Sequence, residues 1–172
     1  MKRLGVFALA LSLVGVTGCD DEPAAPSNLP VVLTAQLSPA NETPPIANAE
    51  NTGSGGVQIT LNPTYDAAGA VTGGTADFHF QLAGFPGSMS IILAHIHVGA
   101  AGVPGPIVVN TGIVPGSPVV GSDGLWQFTV TGVAVGGATM QAILANPPAY
   151  YFNVHSAVNP GGVVRGQLFR AV

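Results

Sequence analysis

The chain has 172 residues, 47% of them apolar and only 7% charged. Four basic side chains, two of which are Lys2 and Arg3, leave no cationic footprint for a nucleic acid. The 24 glycines and 15 prolines suit a turn-rich β fold, while the apolar share excludes a disordered chain.

In chain order, Lys2 and Arg3 precede an apolar run, Leu4–Val16, shorter than the roughly 20 residues a membrane span needs. Val16-Thr17-Gly18-Cys19 follows, and Cys19 is the only cysteine. Small residues before a cysteine at this point resemble the lipobox of bacterial lipoproteins. The resemblance implies a signal peptide over 1–18, cleavage before Cys19, and lipid on the cysteine sulfur and amino group. Residues 19–30 are acidic, Pro-rich and aperiodic, which predicts an extended tether. The expected product is exported and anchored on the extracytoplasmic side, in the periplasm or at the cell surface. Beyond Cys19 all eight acids remain against Arg165 and Arg170, and no disulfide can form within the chain.

Residues 31–172 read as one domain. Val31–Leu37 is the first strand candidate. Val57, Ile59 and Leu61 alternate with polar neighbours, as do Phe78, Phe80 and Leu82. Ser90–Val98 and Pro106–Val114 follow; then Trp126, Phe128 and Val130 alternate again. Ala138–Leu144 is rich in helix formers and stops at Asn146-Pro147-Pro148, which predicts one short helix near 138–145. Tyr150, Phe152 and Val154 form the core face of the next strand, and Val163–Phe169 the last. Period two marks strands with one buried face. Turn signals such as Pro86-Gly87, Pro104-Gly105, Asp123-Gly124 and Pro160-Gly161 separate them. The expected fold is all-β: an antiparallel sandwich or partly closed barrel of about eight strands with one helix.

Catalytic signatures are missing. There is no Gly-x-Ser-x-Gly elbow, and lysine is absent beyond Lys2. Histidine is the informative residue. His95 and His97 flank Ile96 in a strand, so both point to one face. His155, on another strand, points away from Tyr150, Phe152 and Val154. Three imidazoles without a thiol suit zinc or copper, whose affinity should fade below about pH 6 as protons compete. The other reading gives them hydrogen-bonding roles on a half-buried face. His79 sits on a third strand, beside Asp77 and Gln81. Arg165, isolated in a neutral strand, calls for a carboxylate, and Glu42 is the candidate for an ion pair.

Three segments together resemble the CHRD domain, the module repeated in chordin and found in bacterial secreted proteins. They are Leu37-Ser38-Pro39-Ala40-Asn41-Glu42-Thr43-Pro44-Pro45; Ala94-His95-Ile96-His97-Val98-Gly99 with Gly105-Pro106; and Tyr151-Phe152-Asn153-Val154-His155 with Arg165-Gly166-Gln167-Leu168. The acid usual in the family two positions before the arginine is Val163 here. The resemblance implies an all-β extracellular module with a binding or structural role, an extracytoplasmic protein as a partner, and no enzymatic activity. A looser likeness, to copper/zinc superoxide dismutase, rests on the His-x-His strand and would imply metal-dependent redox activity. That enzyme also uses a disulfide, which this chain cannot form.

Overall fold

The computed structural model describes residues 29–116 and 125–171. The expected signal peptide, Cys19, nearly all of the tether and the Asp123-Gly124 turn lie outside them. Among the described residues nine strands and one α-helix follow in order: β1 (Val31–Leu37), β2 (Ser54–Tyr65), β3 (Val71–Ala83), β4 (Ile91–Val98), β5 (Ile107–Asn110), β6 (Leu125–Gly136), α1 (Gly137–Ala145), β7 (Tyr150–Ser156), β8 (Val164–Gln167) and β9 (Phe169–Arg170). They form two open antiparallel sheets, ordered β6-β3-β2-β1-β9 and β5-β4-β7-β8. The sandwich alternative therefore holds, and the barrel does not.

The alternating apolar residues meet between the sheets. Phe152 of β7 lies 5.9 Å from Phe78 and 5.2 Å from Phe80, and Phe80 stacks on Phe128 at 4.7 Å. Each ring is 5% exposed or less. Removing such large apolar surfaces from water is the main favourable term for a chain without disulfides. Helix α1 buries Met140 and Ile143, ends with Asn146 N–H donating to Ala142 O, and gives way to a 3-10 turn over Pro147–Ala149.

Three elements differ from the expectation. The last predicted strand, 163–169, is two: β8 pairs with β7, and β9 pairs with β1 in the other sheet. The chain changes sheets at the fully buried Leu168, so the edge of the sandwich is laced shut. The predicted strand at Pro106–Val114 ends at Asn110, because Thr111 turns in to donate its hydroxyl to Ala94 O and Gly112 takes φ +82°. Strand β6 runs on past Val130 to Gly136. A register shift opposite Ala76–Phe78 interrupts its alternation, with Asp77 Oδ1 accepting from Gly132 N at 2.7 Å.

A fourth difference concerns β4. A register shift between Ile91 and Leu93 rotates Ile91 into the core and leaves Ile92 half-buried, where alternation alone assigns Ile92 to the core. From Ala94 onward the alternation is as expected. All seven residues of β7 are buried, so both faces of this strand are covered. Inside lies the apolar core; outside lie loops and a layer of polar side chains.

Candidate metal centre

That outer layer is built by register. His95 stands opposite Asn153 and His97 opposite Tyr151 across the β4–β7 ladder, while Asn153 and Tyr151 face Arg165 and Gln167 on β8. His155 follows Asn153 on the same face of β7. His95, His97 and His155 are 2%, 7% and 5% exposed. One ring nitrogen from each lies within 4.8 Å of the other two. The structure thus brings together the three histidines singled out from the sequence. His79 stays apart, exposed on the other sheet, with Nδ1 3.0 Å from Thr129 Oγ1.

Two of the rings have a defined tautomer. A carbonyl can only accept, so His97 Nδ1 donates to Gly105 O and His155 Nδ1 donates to Pro160 O, each at 2.9 Å. In the neutral ring, Nε2 then carries the lone pair on both. His97 Nε2 is buried with no hydrogen-bond partner. His155 Nε2 lies 3.2 Å from His95 Nδ1. Since His155 Nε2 carries the lone pair, it accepts from His95 Nδ1, which puts the His95 proton on Nδ1. The spacing is also close to the roughly 3.3 Å between two nitrogens on one tetrahedral zinc, a position His95 Nδ1 can take once its proton moves to Nε2.

The electrostatics keep the rings neutral. Burial, reinforced by His155 and His97, holds His95 down to about 4. Burial lowers His97 and His155 as well; the hydrogen bonds to Gly105 and Pro160 oppose this in part. All three rings are neutral at neutral pH and can ligate without first losing a proton.

The loops supplying the acceptors depend on close approach. At Gly105 a Cβ would stand 1.7 Å from Val98 O, so only glycine lets the loop return against β4 and present its carbonyl to His97. Gly105 N also donates to Tyr151 Oη at 3.1 Å. The Tyr151 ring stacks on His97, with centroids 4.9 Å apart and planes 9° apart. Gly162, at φ +136°, lies where a Cβ would meet Asn153 and Glu42 Oε1 within 2.8 Å.

Arg165 reaches its surroundings differently from the expected ion pair. Its Nη2 donates to Ala100 O, Val103 O and Gln167 Oε1, and its Cζ lies 3.5 Å from the Tyr151 ring centroid. No hydrogen bond joins it to Glu42, whose Oε1 is buried without a hydrogen-bond partner. The two side chains share the lining of a cavity of about 510 Å³, and Arg165 acts on Glu42 through its field. Backbone carbonyls near the guanidinium have taken the place of the carboxylate.

Burial raises Glu42 to about 7 despite the opposing field of Arg165. A carboxyl whose folded pKa exceeds its unfolded value of 4.5 costs stability as pH rises from 4.5 through 7, and the full cost is present above 7. Glu42→Gln should therefore stabilise the protein above pH 7, by up to about 3 kcal/mol, and leave it unchanged below about pH 4.5. Denaturant unfolding at several pH values checks this. An equal effect of the substitution at pH 4 and pH 8 would show that charge burial is not the cause.

Sequence reasoning missed Tyr151 and Asn153 as part of the layer, although their alternation with the core face of β7 marks them. The carbonyls of Gly105 and Pro160 carry no side-chain signal; only the Pro104-Gly105 and Pro160-Gly161 turns hint at them. Val163, two residues before Arg165, is fully buried in the apolar core. No characterised protein and no solved structure matches the chain. A family model described as the CHRD domain matches residues 33–168, from β1 to the crossing at Leu168. That span contains the three histidines, their two loop acceptors, Glu42 and Arg165, and on this match the chain belongs to the CHRD domain family.

Proposed function

We propose that this CHRD domain is a non-enzymatic, extracytoplasmic module that holds one transition-metal ion, copper or zinc, on His95, His97 and His155. The observation that carries the reading is the convergence of three neutral imidazoles, two of them with Nδ1 tied to a backbone carbonyl so that the lone pair is on Nε2. Such outer hydrogen bonds fix the ring and raise its basicity as a ligand. A binding role suits the site better than catalysis, since all three rings are nearly inaccessible and leave little room for a substrate. The lipobox-like Val16–Cys19 supports anchoring by lipid, with 19–30 as the tether.

Two arms test this. Protein equilibrated with zinc or copper and then dialysed should retain about one ion per chain, and the triple His→Ala variant none. Retention by the variant would move the ion elsewhere. In cells, Cys19→Ala should leave a longer, unlipidated precursor, whereas the wild-type protein fractionates with membranes. Wild-type protein that is soluble and cleaved at another position would remove the anchor from the account.

A further inference from the structure

Glu50 is a buried acid that the site as described does not use. It is 4% exposed and sits in the 3-10 turn Ala49–Thr52, far in sequence from the histidine strands. Its Oε2 accepts from Ser156 Oγ and from Asn159 Nδ2, both at 2.5 Å. Asn48 closes the arrangement: its Oδ1 accepts from Glu50 N at 3.0 Å, and its Nδ2 donates to Asn159 Oδ1 at 2.9 Å. Ser156 Oγ in turn accepts from Asn159 N at 2.9 Å. Asn159 O then accepts from Ser156 N and Gly162 N. The loop from Ser156 to Gly162 is thus tied down on both sides of Pro160, the residue whose carbonyl accepts from His155 Nδ1.

We propose that Glu50 is a positioning residue for the metal centre: by clamping the 156–162 loop it aims Pro160 O at His155 Nδ1 and so holds the His155 lone pair on Nε2, the nitrogen that ligates. This rests on the metal-holding reading of the site. One oxygen receives two donors at 2.5 Å, a task for a carboxylate that an uncharged side chain performs less well. Without it, Ser156 Oγ and Asn159 Nδ2 lose a shared acceptor in a buried place, the loop loosens, and the His155 ring is released to either tautomer.

The test uses two readouts on the purified protein, wild type and Glu50→Ala. Imidazole 15N chemical shifts, recorded without metal, report the His155 tautomer. Zinc and copper(II) titrations report affinity. The wild type should show His155 protonated at Nδ1 alone. Glu50→Ala should give a mixture of tautomers and bind metal about ten- to a hundredfold more weakly. Glu50→Gln, which keeps one acceptor oxygen, should recover part of both. If Glu50→Ala fails to fold, Asn159→Ala cuts one arm of the clamp and should show the same signs more weakly. Wild-type tautomer and wild-type affinity in the folded variant overturn the proposal. A wild-type protein that binds neither metal overturns the metal reading instead, while the 15N shifts still decide whether Glu50 sets the ring.

Discussion

Zinc or copper(II) at a thousand times its dissociation constant should raise the melting temperature of the wild-type protein by about 10 °C at neutral pH. A ligand bound only by the folded state at that excess contributes about 4 kcal/mol, and a domain of this size gains about 3 °C per kcal/mol. His97→Ala should abolish most of the gain, because it deletes the ring whose buried Nε2 has no protein partner. The pH dependence follows from the depressed histidines. Without metal, unfolded histidine takes a proton near 6.5 while folded His95 resists until about 4, so stability falls as pH drops between those values. With metal, His95 resists protons down to about 4 and burial favours the neutral form of His97 and His155 as well, so competition sets in at a lower pH than at free histidine. A thermal shift that disappears at pH 6 would place the ion on ordinary exposed histidine.

Arg165→Ala should be the most destabilising single substitution in the polar layer, at about 3–5 kcal/mol or roughly 10–15 °C in melting temperature. It removes a guanidinium that is 2% exposed, leaves Val103 O without its donor and leaves Ala100 O with Val103 N alone. It also uncovers the Tyr151 ring that stacks on His97. Arg165→Lys should recover little, since an ammonium cannot serve several acceptors and a ring face in one plane. A double-mutant cycle with Glu42→Gln isolates their coupling, which is a field effect and should be about 1 kcal/mol or less. A coupling of several kcal/mol would mean that the two charges meet directly in solution.

Much of this arrangement was legible in the sequence because period two carries so much information in a chain with few charges. The alternation in Phe78–Leu82 and Tyr150–Val154 assigned the core faces, and the i, i+2 rule placed His95 and His97 together. That His155 joins them depends on β7 pairing beside β4, a long-range choice that no local pattern encodes. The same limit hid the sheet crossing at Leu168, where an apolar strand signal runs unbroken through a change of partner. The Ile91–Leu93 irregularity was invisible because a run of isoleucine and leucine reads the same in either register. The Glu42–Arg165 pairing was inferred from scarcity of charge. Carbonyls outcompeted it, and they are present at every residue.

The centre itself is tested most directly by X-ray absorption at the zinc edge of the loaded protein at neutral pH. The account predicts a first shell with three nitrogens near 2.0 Å and the outer-shell scattering of three imidazole rings, reduced by one ring in His155→Ala. A first shell of oxygens alone, unchanged in the histidine variants, would contradict it.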